Sequence, residues 1–215
     1  MLAQAPYSER APAEATLADA SALLKQAAAR FDANEQAQAA DLLGQALAIC
    51  KRIEGAGSRD VMAISEQRAS VLDDLGRPAE AVPLYEDAVR IHFALDGERH
   101  PATLLAMSNH GYALGRSGRF AEAEPVFAQV VQLRREVLGA GNPDTLASIE
   151  NYIGILEKLG KLALAEPLVL DDLAQRSKTQ GASAAQTLDA LDHYAGLLVK
   201  LGSGPIKGIP KGLSI

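Results

Sequence analysis

The sequence predicts an all-α solenoid built from stacked helix–turn–helix units. Three observations carry this. Segments beginning "GRPAEAVPLY" at Gly76, "GRFAEAEPVF" at Gly118 and "GKLALAEPLV" at Gly160 recur at a 42-residue step, a period that marks one supersecondary unit reused along the chain. Between them, apolar residues fall at intervals of three, four and three, the stripe of a helix with one buried face. Finally, 48% of the residues are hydrophobic but only 4% are aromatic and none is Trp, which suits Ala and Leu side chains packing helix against helix.

Taking the elements in order, residues 1–15 form a polar lead-in with Pro6 and Pro12, expected to be flexible and without the charged head and apolar middle of an intact signal peptide. Removal of a signal before the start methionine stays open. The repeat array is assigned to residues 16–202, about four helical pairs and a final capping helix. Its first unit is weak, with Asn34 in the later glycine column and Asp41 in the later proline column. Terminal units of a solenoid commonly deviate because they cap the stack.

The first helix of each later unit carries four apolar columns. These are Met62, Leu104, Leu146 and Leu188, then Ser65, Met107, Ile149 and Leu191, then Ala69, Gly111, Ile153 and Ala195, and finally Leu72, Leu114, Leu156 and Leu198. His100 before Pro101 and Asn142 before Pro143 mark helix starts, since proline at the first helical position loses no hydrogen bond. Gly76, Gly118, Gly160 and Gly202 mark the ends, where a left-handed residue stops the helix.

The second helix pairs a small column, Ala39, Ala81, Ala123 and Ala165, with a larger one four residues on, Leu43, Tyr85, Phe127 and Val169. Alternating small and large residues interdigitate. Pro83, Pro125 and Pro167 recur in phase, so the second helix is expected either to bend there or to start late. The segment "GLLVKL" is expected to leave Leu197, Val199 and Leu201 poorly covered. Residues 203–215, "SGPIKGIPKGLSI", then break the repeat with glycines and prolines. Three readings of that tail stay open: a disordered natural end, a truncation scar, or a basic and apolar segment that docks.

Charge and chemistry narrow the function classes. A formal charge of −6 argues against nucleic acid, whose binding needs clustered Lys and Arg. No apolar run reaches the roughly 18 residues of a membrane span, so no membrane partner is expected and a cytoplasmic location is the default, with the periplasm left open. His92, His100, His110 and His193 show no metal-binding spacing, and no nucleophile elbow or phosphate loop is present. No enzyme activity, cofactor or metal is therefore expected. Cys50, the single cysteine, shares a polar column with His92, Arg134 and Arg176, and is expected to be a partly exposed thiol prone to oxidative dimer formation.

Gly118, Phe120, Ala123, Pro125 and Phe127, preceded by Asn109 and Gly111, resemble the tetratricopeptide repeat. The 42-residue step, the "HPATL" and "NPDTL" openings and "AEAEPVF" are most similar to the kinesin-light-chain variety. Met107, Leu114 and Ile149 stand where the family usually has Trp or Tyr, and Asp172 interrupts a column of Ala46, Ala88 and Val130. The resemblance implies a right-handed superhelical solenoid whose concave wall, lined by first helices, binds peptides.

By column, that groove would comprise Glu66, Ser108, Glu150 and Asp192, then Gln67, Asn109, Asn151 and His193, with Ser70 and Tyr112 a turn further on. Amides can grip a peptide backbone by donating and accepting together; alternatively, Asn109 and Asn151 satisfy backbone groups between helices. The acidic column favours a basic partner, with Arg116, Lys158 and Lys200 making the wall mixed; the competing reading is an ordinary solvated face. The Lys, Arg and Asn clamp of chaperone-tail receptors is missing. The expected function is a non-enzymatic protein-interaction module with a peptide groove. The alternative is a structural protein that self-associates through its C-terminal helix and tail.

Overall fold

The computed structural model describes residues 15–181 and 183–202. The expectations for residues 1–14 and for the tail 203–215 lie outside them. Nine α-helices occur among the described residues, and no strand: α1 Leu17–Asp32, α2 Gln36–Glu54, α3 Arg59–Asp74, α4 Pro78–Leu95, α5 Pro101–Arg116, α6 Phe120–Leu138, α7 Pro143–Lys158, α8 Leu162–Gln180 and α9 Ala185–Lys200. They group into two compact units, α1–α5 and α6–α9. Within each unit, every helix packs on the next in sequence.

Local chemistry explains the boundaries. Thr16 and Asp19 form a reciprocal capping box at α1, and Ser58 Oγ accepts from the Val61 amide at α3. His100 and Asn142 cap α5 and α7 in the same way, through Ala102 N at 3.3 Å and Asp144 N at 2.9 Å. Each first helix then ends on a left-handed residue. Gly76 has φ of 71°, and the next amide, Arg77, returns to Leu72 O at 2.8 Å. Asn34, in the same column, adopts φ of 61° and is followed by the same bond, Glu35 to Arg30 O at 2.8 Å. The weak first unit therefore uses the same turn with a costlier residue.

The in-phase prolines do not delay their helices. Pro83, Pro125 and Pro167 each stand at the sixth helical position, after α4, α6 and α8 have already begun. All three are exposed, as are Ala79, Ala121 and Ala163, the residues four positions earlier whose carbonyls lose their donor. Water can satisfy those carbonyls, which removes much of the penalty of an internal proline.

The packing columns are buried as the periodicity requires. Ala39, Ala81, Ala123 and Ala165 are buried together with Leu43, Tyr85, Phe127 and Val169. In the first-helix columns, Leu72, Leu114, Leu156 and Leu198 are all buried, but Leu188 is 46% exposed on α9. The expectation of three poorly covered residues at the chain's end is corrected. Leu197 is fully buried in the core of the second unit with Ile153, Leu156 and Tyr194, and Leu201 packs against that core, whereas Val199 is 81% exposed. A helix buries only one face, and Val199 is on the other.

Polar contacts repeat at two steps of 42 residues. In the first unit Lys51 pairs with Asp87, Arg116 with Asp73, and His92 with Glu66. In the second, at equivalent positions, Arg135 pairs with Asp171, Lys200 with Glu157, and Arg176 with Glu150. Each unit is laced by the same three contacts.

Candidate functional site

Helical geometry builds a cleft in the first unit. On α3, Glu66, Gln67, Ser70, Asp73 and Asp74 follow one another at intervals that keep them on one side, and on α5 Leu105, Asn109, Tyr112 and Arg116 do the same. With Tyr85 of α4 they line an open cleft of about 570 Å³. Five of the residues expected to bind a peptide thus meet there: Glu66, Gln67, Ser70, Asn109 and Tyr112. Among the described residues, no hydrogen bond ties up the side chains of Gln67, Ser70 or Asn109, which line the open cleft. Ser108, on the neighbouring flank of α5, is half-buried with its Oγ unpartnered among those residues.

Electrostatics differ along the cleft. Asp73 is buried, and that burial pushes its carboxyl up, against the opposing pull of Arg116 and a hydrogen bond from Tyr85. The Tyr85 hydroxyl is in turn raised, first by burial and then by Asp73. Arg116 donates to Asp73 O at 3.0 Å, and its guanidinium lies 5.9 Å from the centre of the half-exposed Tyr112 ring. Its Nη1 is 3.8 Å from Asp73 Oδ1, beyond hydrogen-bond length. Asp74, exposed, completes the acidic rim.

A second pocket, of about 350 Å³, adjoins the cleft and shares Gln67 and Ser70 with it. Its remaining wall is mostly apolar, with Leu24, Ala27 and Phe31 of α1, Leu43 of α2 and Val71 of α3. Sequence reasoning missed this pocket, because it treated residues before α3 as cap. It also missed Asp73 and Leu105; the signal was present in their helical spacing from Gln67, Ser70 and Asn109.

The remaining expected site residues belong to the second unit. Glu150 accepts from Arg176 Nη2 at 2.7 Å, and burial pushes its carboxyl up in spite of that cation. His193 Nε2 lies 3.3 Å from Glu157 Oε1, while Asn151 and Asp192 are exposed.

The column through Cys50 corrects an expectation. Cys50, His92, Arg134 and Arg176 are all buried, and burial pushes the Cys50 thiol up, away from the reactive thiolate. The larger members are accommodated by partners: His92 between Glu66 and Asp96, Arg134 donating to Asp144 O and Ser148 Oγ, Arg176 to Asp172 and Glu150. Polarity in that column signals buried pairing, not exposure. Among the described residues no helix is long and apolar enough to cross a membrane, and no group of three or more His, Cys, Asp or Glu is placed to hold a metal ion.

Residues 60–136 match the family model described as Tetratricopeptide repeat. Comparison with curated proteins gives no match. Among solved structures, the chain is similar to the nearly identical repeats assigned to a kinesin light chain of Podosopora anserina, with a TM-score of 0.73 and 22% identity over 87% of this chain and 89% of that one. It is also similar to BtubC (BKLC) from P. vanneervenii, with a TM-score of 0.57 and 15% identity over 96% and 72%. A Rap protein complexed with competence and sporulation factor matches with a TM-score of 0.52 and 18% identity over 87% of this chain and 56% of that one. These likenesses concern the fold, an all-α solenoid of helix–turn–helix repeats. Residues 60–136 thus carry the tetratricopeptide-repeat pattern, and the fold of the chain is similar to that of the repeats assigned to a kinesin light chain.

Proposed function

We propose that this protein-interaction module works without catalysis, by holding an extended peptide segment of its partner on its first helices. The observation that carries this reading is the convergence of Gln67, Ser70 and Asn109 on one open cleft with their hydrogen-bonding groups uncommitted. A peptide backbone offers both donors and acceptors, and amide side chains match both. Support also comes from the Rap protein of similar fold, which was solved complexed with a factor. On the second unit, Glu150, Asn151, Asp192 and His193 offer an equivalent surface of carboxylates, an amide and an imidazole.

Selection of a random dodecapeptide display library on the full chain tests the proposal. Selected peptides should bind Gln67→Ala/Asn109→Ala about tenfold or more weakly, ~1.4 kcal/mol. Unchanged affinity would move binding off the cleft.

A second reading, self-assembly through α9, is favoured by Leu188 and Val199, exposed apolar residues eleven positions apart and so on one face of that helix. Light scattering on the full chain and on a chain ending at Gly202 separates the two. A monomer at all concentrations removes the second reading; a dimer lost on Leu188→Glu/Val199→Glu supports it.

A further inference from the structure

The acidic cleft and the apolar pocket share a wall, and each lacks what the other would not supply. On the cleft side, three carboxylates, Glu66, Asp73 and Asp74, face a single lining cation, Arg116. Asp73 is more than nine-tenths buried, and its Oδ1 has no hydrogen-bond donor among the described residues. Arg116 covers that oxygen without bonding to it, since the guanidinium is drawn over the Tyr112 ring and donates to the Asp73 carbonyl instead. Arg116 is itself exposed, with its side chain 39% accessible, so a guest cation can reach it and take its place beside Asp73. Two tyrosines border the same space, and an aromatic face attracts a cation.

On the pocket side, Phe31 is 46% exposed and Leu24, Ala27, Leu43 and Val71 surround a space large enough for one aliphatic or aromatic side chain. Gln67 and Ser70 stand between the two spaces, placed to bond the backbone that would connect their occupants. Because the two spaces share Gln67 and Ser70, an extended chain crosses from one to the other within about two or three residues.

We infer that the occupant is an extended peptide in which a lysine or arginine lies within about three residues of an apolar residue, the cation entering the α3–α5 cleft and the apolar side chain the pocket beside α1. Charge complementarity selects this partner over an acidic peptide, which would meet Asp73, Asp74 and Glu66 head on. The inference rests on the peptide-binding reading above. In this arrangement Arg116 acts as a stand-in that the guest cation displaces, so it competes with the ligand rather than anchoring it.

The test uses the full chain and the same random dodecapeptide library. Selected peptides should be enriched in Lys or Arg beside an apolar residue. A synthetic copy of the strongest should bind Asp74→Asn several-fold more weakly and Asp73→Asn at least tenfold more weakly, and should lose affinity as salt rises. It should bind Arg116→Ala several-fold more tightly. Asp74 is exposed at the end of α3, so that variant reads binding even where Asp73→Asn disturbs folding. Peptides without basic enrichment, or weaker binding by Arg116→Ala, would overturn the cation assignment and leave the groove standing. Selection of no peptide at all would overturn both.

Discussion

His92 Nε2 lies 3.2 Å from Glu66 Oε1, while Nδ1 of the same ring lies 2.8 Å from Asp96 Oδ2. A buried imidazole of α4 therefore ties a cleft carboxylate of α3 to the C-terminus of its own helix. Two repeats later Arg176 occupies the same position and holds Glu150 at 2.7 Å. Replacing His92 by Leu keeps the volume but leaves Glu66 unheld. We expect His92→Leu to lower stability by about 1–3 kcal/mol in urea unfolding, the cost of stranding hydrogen-bonding groups, and to alter affinity for selected peptides through Glu66.

The Asp172–Arg176 pair on α8 is almost wholly buried, with Asp172 in a column otherwise filled by Ala46, Ala88 and Val130. Removing one partner of such a pair strands the other. Arg176→Leu is expected to cost about 3 kcal/mol or more. The double variant Asp172→Ala/Arg176→Leu, which restores the small apolar residue of the column, should recover most of that loss in the same unfolding measurement. Equal loss in both variants would show that the pair is not coupled.

Asn34 adopts φ of 61° in a column where the other repeats place glycine. A left-handed backbone strains any residue with a Cβ, though asparagine least. Asn34→Gly should raise thermal stability modestly, by at most about 1 kcal/mol, and Gly118→Ala should lower it by about 1–2 kcal/mol.

Burial pushes the Asp87 carboxyl up, but hydrogen bonds from Lys51 and Arg90 outweigh it and hold it below the usual carboxylate range. A depressed carboxyl stabilises the fold above its unfolded value and loses that contribution as pH falls through its folded value. Asp87→Asn should therefore melt below the parent protein at pH 7, with the gap closing below about pH 4. Asp172 has the opposite sign. Burial raises it above the usual range despite Arg176, so its contribution to stability grows as pH falls through that raised value. A gap for Asp87→Asn that widens on acidification would contradict the assignment.

Cys50 is buried on α2, and its thiol is pushed up by burial and then by Glu54 and Asp60. Native protein should react with a thiol reagent at least tenfold more slowly than urea-unfolded protein, because the thiolate is the nucleophile. Disulfide-linked dimers should not form while the fold is intact.

Much of the fold was legible because it is written in local, repeated chemistry. Asn142 and Pro143 specify a helix start, Gly76 a stop, and Ala123 with Phe127 a buried seam, all from residues within one turn or two of each other. The column through Cys50 was misread because a polar residue looks exposed until its partner is known, and Glu66 lies 26 residues from His92. The candidate cleft was half legible. Gln67, Ser70 and Asn109 came from column alignment, whereas Asp73 and the pocket around Phe31 did not.

Sequence alone determined the repeat, its 42-residue step, the helix ends and the apolar columns, since each depends on backbone geometry and side-chain period within a single unit. Tertiary structure decided which polar residues are buried in pairs, which carboxylate oxygen is left without a donor, and which side chains share a cleft. Those outcomes depend on helices separated by a whole repeat meeting at close range, and no local pattern fixes the distances between them.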